Sequence, residues 1–194
     1  MSARHDAVLA LAVGFIALGS AHAQGAPSSG RVGFAAGLGA TYGNLVGGDF
    51  GGSKPAAGFD ANAAVVLHRW ELGVGYDRAN HGHEDTDGNY VVSNAYLEPR
   101  LRFPSARRWT PYVATRVGLS MASYQGVLGL TDTAKGYLAG IGAGLLWPIA
   151  GHVQADAGAH YARLAHDYGT GGFADAEKGG QASLRVGVRY ASRR

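Results

Sequence analysis

Apolar residues recur at every second position through eight separate stretches of this chain, a periodicity that admits little besides antiparallel sheet. In the first stretch Val32, Phe34, Ala36, Leu38, Ala40 and Tyr42 share one parity, while Gly33, Ala35, Gly37, Gly39 and Thr41 share the other. The alternation returns near 58–67, 70–77, 90–103, 111–123, 136–147, 153–162 and 181–190. Longer polar or glycine-rich connections at 44–57, 79–89, 125–135 and 165–180 alternate with tight joints at 68–69, 104–110 and 148–152. Strict alternation of long and short connections describes an up-and-down meander whose two ends meet different surroundings.

The two faces differ in chemistry. One carries Phe59, Val65, Leu67, Trp70, Leu72, Val74, Leu97, Leu101, Val113, Val117, Leu119, Ile141, Leu145, Leu184, Val186 and Val188. The other carries Arg31, Asp60, Glu71, Asp77, Glu98, Arg100, Arg102, Arg116, Asp156, Arg185 and Arg189. Glycine decides which face points inward. Of the 32 glycines, Gly33, Gly37, Gly39, Gly73, Gly75, Gly118, Gly140, Gly142, Gly144, Gly158 and Gly187 all fall on the charged parity. Small residues suit the crowded interior of a narrow closed barrel, whereas glycines facing solvent would only weaken the strands. The charged face is therefore the lumen and the apolar face meets lipid.

The aromatic residues sort by height in agreement with that sense. Trp70, Trp109, Trp147, Phe103 and Tyr190 cluster beside the short joints; Tyr42, Phe59, Tyr76, Tyr137 and Tyr161 lie toward the long ones. Two aromatic girdles flanking an apolar band mark the two membrane interfaces. The fold class expected is all-β: an eight-stranded antiparallel up-and-down transmembrane β-barrel. One stretch invites a helical reading, because Gly136–Ala155 has no formal charge and Gly140 and Gly144 match a membrane-helix contact motif. That helix would contain Pro148, and its glycines fall at every second position, as in a strand.

Ahead of the strands, Arg4, the apolar run Ala7–Gly19 and the small residues ending at Ala23 have the order of a secretory leader. Residues 1–23 are read as a cleaved signal peptide, 24–30 as a short N-terminal segment, 31–190 as the barrel and 191–194 as an overhang. With no cysteine, thiolate metal sites, disulfides and cysteine nucleophiles are excluded. A net charge of +3 without a basic stripe speaks against nucleic acid as a partner.

The pattern over 31–190 resembles the small eight-stranded outer-membrane barrels, a group that includes the OmpA transmembrane domain and the OmpX-like and opacity proteins. Pro111-Tyr112-Val113 leading into Val117-Gly118-Leu119 is similar to that group's fifth-strand signature. The run Gly187, Val188, Arg189, Tyr190 resembles the C-terminal signal read by the barrel-assembly machinery during insertion. Four residues follow Tyr190, where relatives usually stop, and Arg116 stands where they tend to have glycine, which predicts a fuller interior. The resemblance implies outer-membrane lipid and lipopolysaccharide as surroundings and an extracellular ligand, if any, held by the loops.

Charges inside a barrel must pair or stay wet. Glu98, Arg116, Asp156 and Arg185 are the expected members of a network across the lumen, with Arg100 and Glu71 beside them. Such a network reads either as a structural polar core or as a gate for small ions. An eight-stranded interior is only just wide enough for side chains to fill, which favours the core. In the second long loop His81, His83, Asp85 and Asp87 are close enough for a divalent ion, but an acidic solvated tip explains them as well. A lipid A modifying activity would need a nucleophile and base at the lipid-facing rim, and His160 falls on the inward parity. No cofactor is called for. The expected role is a non-enzymatic structural or surface-interaction one, with a narrow ion channel and a lipid A enzyme as alternatives.

Overall fold

The computed structural model describes residues 32–50, 52–82, 89–103, 105, 108–125, 131–167 and 177–192. Its eight strands are β1 (Val32–Val46), β2 (Ala56–Leu67), β3 (Trp70–Gly82), β4 (Asn89–Arg102), β5 (Thr110–Gln125), β6 (Thr131–Ala150), β7 (Val153–Asp167) and β8 (Glu177–Ala191). Each strand pairs antiparallel with its sequence neighbours, and β1 pairs with β8 from Ala35↔Ala191 to Val46↔Gly180, so the barrel closes and leaves no free edge. Gly136–Ala155, the stretch that invites a helical reading, is strand on both sides of the β6–β7 joint. The leader, Arg31 and the 83–88 loop lie outside the described residues.

Register places the two faces as their chemistry demands. Leu38, Ile141 and Val186 point outward and are 68%, 67% and 65% exposed, whereas Asp60, Glu71 and Arg185 point inward and are 0%, 2% and 2% exposed. Among the described residues, twenty-six large apolar side chains are exposed. Soluble monomers rarely present contiguous apolar patches beyond a few hundred Å², so this surface requires lipid.

Several strands run past the ends that alternation marks. β1 continues to Val46, β3 to Gly82 and β7 to Asp167, while β6 begins at Thr131 and β8 at Glu177. The expected long connections are correspondingly shorter. The apolar stripe records the part of a strand that touches lipid, while backbone pairing continues beyond it with polar side chains outside. Similarly, Ala191 belongs to β8, and Ser192 exchanges two 2.8 Å bonds with the Phe34 backbone, its N donating to Phe34 O and its Oγ accepting from Phe34 N. Half of the expected four-residue overhang is thus part of the wall.

The tight joints at the opposite end need backbone with positive φ. Gly151 supplies it at 52° between β6 and β7, but His68 takes 54° between β2 and β3. A side chain there costs about 1 kcal/mol. His68→Gly is expected to stabilise the barrel by up to ~1 kcal/mol, read as a modestly higher urea midpoint. The β4–β5 ladder keeps one register from Leu97↔Val117 to Arg100↔Ala114 across Pro99, which offers it no N–H.

Candidate functional site: a charge cluster filling the lumen

Among the described residues, nine charged side chains meet inside the barrel. Arg189 grips Glu71 through two bonds of 2.8 and 3.0 Å, and Glu71 lies 3.4 Å from Arg100. Arg100 reaches Glu98 at 2.5 Å and Asp156 at 3.0 Å. Arg185 bridges Asp156 at 3.1 Å, Asp60 at 3.4 Å and Glu98 at 3.7 Å. Arg116 bonds Glu98 and lies 3.3 Å from Asp77 and 3.8 Å from Asp60. Four guanidiniums and five carboxylates therefore form one connected cluster, drawn from β2, β3, β4, β5, β7 and β8. With arginine in the minority, three of the four arginines are shared among several carboxylates.

Two tyrosines knit this cluster to the wall. The Tyr112 hydroxyl donates to Asp156 at 2.8 Å and accepts from Arg185 at 3.0 Å. The Tyr96 hydroxyl donates to Asp60. Arg116 stacks over the Tyr96 ring at 4.2 Å and Arg100 over Tyr112 at 4.8 Å, contacts that attract a cation to the ring face. The glycines explain how such rings fit inside. A Cβ at Gly75 would lie 2.5 Å from the Tyr96 ring, and one at Gly158 would lie 2.6 Å from the Tyr112 hydroxyl.

Above the cluster the polar chain continues. Asn94 donates to Asp77 at 2.7 Å and to Gln181 at 3.0 Å, and accepts from Ser120 at 2.6 Å. His166 Nε2 lies 2.8 Å from Ser120. Beside this polar chain the lining is apolar, with Leu45, Phe50, Val92, Tyr96, Ala122, Leu138, Ala162 and Leu164 in one buried cluster. Phe50 hangs from a 3-10 turn, Gly48–Phe50, and is 1% exposed, its ring edge-on to His166 at 5.7 Å. It is a stopper within the lumen beside β8, where a Cβ at Gly179 would lie 2.3 Å from its ring. Among the described residues, cavities of about 10 Å³ lie at Asp77, His81 and Gln181 and at Asp60, Asp156 and Arg185. Each has room for about one water.

All six expected network residues, Glu71, Glu98, Arg100, Arg116, Asp156 and Arg185, lie in the cluster. The sequence reading puts Asp60, Asp77 and Arg189 on the inward face without joining them to it. It misses Tyr96 and Tyr112, whose charged parity and facing glycines were the available signal. Arg102 departs from its expected place: it is half-buried at the barrel's end, donating to His68 O at 2.6 Å.

Trp70, Trp147, Phe103 and Tyr190 are exposed at the short-joint end and Trp109 is half-buried. At the other end Tyr42, Tyr137 and Tyr161 are exposed, and half-buried Tyr76 packs on Phe59 at 5.8 Å. In β8, Val188 and Tyr190 face out while Gly187 and Arg189 face in. Of the loop residues considered for a metal, His81 is buried above the girdle with Nδ1 3.1 Å from Lys54 O, and burial lowers its imidazole pKa. His83, Asp85 and Asp87 lie outside the described residues.

An apolar wall, aromatic girdles and a charged interior define a transmembrane β-barrel of the bacterial outer membrane. Comparison narrows this to the small eight-stranded type. Neisserial surface protein A superimposes with a TM-score of 0.64 at 19% identity, covering 81% of this chain and 96% of that one. The attachment invasion locus protein Ail of Yersinia pestis gives 0.56 at 18% identity, covering 84% and 99%. Its complex with the heparin analogue sucrose octasulfate gives 0.57 at 17% identity with the same coverage. No protein-family model and no curated protein matches the sequence.

Proposed function

We propose that the protein is an anchored display frame: a plugged barrel that holds four loops at the cell surface and acts through them rather than through its lumen. The observation that carries this reading is the filling of the interior. Among the described residues nine linked charges and the Phe50 ring pack the interior, and the cavities beside Asp77 and beside Asp60 are about 10 Å³ each, no wider than single waters. A hydrated ion has no route through such a column, so the charge cluster serves as a polar core. Residues 1–23 act as the export leader, and the barrel-assembly machinery reads the C-terminal strand through Val188 and Tyr190. His160 faces inward, 6% exposed and 3.6 Å from Glu98, away from the lipid rim where a lipid A enzyme would work. Ail, a barrel of similar fold, is known in complex with a heparin analogue, which supports binding of an external ligand as one use for such a frame.

Planar-bilayer recording tests this directly. The purified barrel is expected to give no discrete conductance steps; reproducible steps would make it a channel. Lipid A from cells with and without the gene is expected to have identical acylation by mass spectrometry. An altered acyl pattern would favour the enzyme.

A further inference from the structure

One acid of the lumen cluster is held far more weakly than the rest. Among the described residues, Glu71, Glu98, Asp60 and Asp156 each lie in ion-pair range of two or three guanidiniums. Asp77 has Arg116 alone, at 3.3 Å. Arg116 is itself shared, since it bonds Glu98 more closely and reaches toward Asp60 at 3.8 Å. Register adds a repulsion. Asp60 of β2 and Asp77 of β3 stand directly opposite in the ladder, both turned inward and buried. Residues opposed in this way hold their Cβ atoms about 5 Å apart, and like charges there destabilise the pair.

Hydrogen bonds separate the two acids. Asp60 accepts on both oxygens, from the Tyr96 hydroxyl on one and from Asn62 at 2.8 Å and Arg185 at 3.4 Å on the other. Such donors favour the ionised form. Asp77 accepts from Asn94 at 2.7 Å on Oδ1, while Oδ2 has only the longer bond from Arg116. Asp77 also borders the cavity lined by Thr41, Ser183, Gln181 and His81. There His81 Nδ1 faces the Lys54 carbonyl, which only accepts, so the neutral ring carries its hydrogen on Nδ1. Its Nε2 is left as a buried acceptor with no partner. Five carboxylates against four guanidiniums leave one negative charge over, and an uncompensated buried charge is costly. We propose that Asp77 is a proton-binding site: it carries the one proton that balances the cluster, with its O–H turned into the cavity below His81, where a single water passes the hydrogen bond on to Nε2. The charged and titratable groups facing it are Asp60 of β2, Tyr96 and Glu98 of β4, Arg116 of β5 and His81 of its own strand, with Arg185 of β8 behind Asp60. The site is independent of what the loops bind and so goes beyond the display role.

Infrared spectroscopy of the full barrel in lipid bilayers at neutral pH tests this, because a protonated carboxyl absorbs apart from carboxylates and from the amide bands. The unaltered chain is expected to show such a band. Asp77→Asn, which has the shape of the protonated acid, is expected to abolish it, and heat-dependent gel mobility verifies that the variant barrel is closed. Urea titration supplies the second readout. Asp77→Asn should keep or raise the midpoint, whereas Asp60→Asn, which weakens the contacts with Arg185 and Arg116, should lower it. Absence of the band from the unaltered chain would put the balancing charge elsewhere, on His160 beside Glu98 or on a bound metal cation, and overturn the proposal. A band that persists in closed Asp77→Asn would assign the proton to another acid and overturn it as well. So would a clear fall in the midpoint of Asp77→Asn or its failure to fold, since Arg116 would then depend on an ionised Asp77.

Discussion

Replacing Arg116 with alanine is expected to lower the stability of the barrel by about 3–5 kcal/mol, the cost of stripping a buried carboxylate of its partner. Arg116 bonds Glu98 and stands within ion-pair distance of Asp77 and Asp60, and its guanidinium covers the Tyr96 ring. Among the described residues the cluster holds four guanidiniums against five carboxylates, so the acids left behind have no spare cation within it. Glu98→Gln is expected to cost less. Arg100 keeps Asp156 at 3.0 Å and Arg185 keeps Asp156 at 3.1 Å and Asp60 at 3.4 Å, while the excess of negative charge falls. Urea titration in detergent micelles measures both. A midpoint for Arg116→Ala equal to that of the unaltered chain would mean that water, rather than arginine, compensates these acids.

The second large effect belongs to Tyr112. Its ring is 1% exposed and its hydroxyl joins Asp156 to Arg185. Tyr112→Ala is expected to cost about 3–5 kcal/mol, because the facing glycines cannot close the hole. Tyr112→Phe keeps the ring and removes only the bridging hydroxyl, for about 1–2 kcal/mol. The spread between the two variants separates packing from hydrogen bonding. If both unfold at the same urea concentration, the ring fills no space that matters and the lumen is looser than described.

Much of this architecture is legible in the chain because a barrel wall is a two-sided surface with a period of two. A single parity choice sorts Leu38 from Gly39 and Val186 from Arg185, and glycine then decides which side is inside. The strand limits were less legible. Asn80 and Lys135 lie above the lipid-facing stripe, so β3 and β6 continue where hydrophobicity says nothing. Parity also names candidates for the interior without saying which side chains meet. The pairing of Arg189 with Glu71 and the reach of Arg185 to Asp60 depend on the closure of β1 on β8 and on strand stagger. Tyr112 is legible only as part of the fifth-strand pattern and Tyr96 not at all, because parity does not say which ring meets which charge. The Phe50 stopper depends on the path of a loop, for which alternation carries no information.

The chain has no cysteine of its own, so a nitroxide can be attached at one position at a time through Leu38→Cys, Ile141→Cys or Val186→Cys. Collision of the label with oxygen, which concentrates in lipid, is then compared with collision by a water-soluble nickel chelate. In reconstituted bilayers all three labels are predicted to meet oxygen freely and the nickel chelate hardly at all. Ready access of nickel at these positions would place the apolar wall in water, and the inside-out barrel would be wrong.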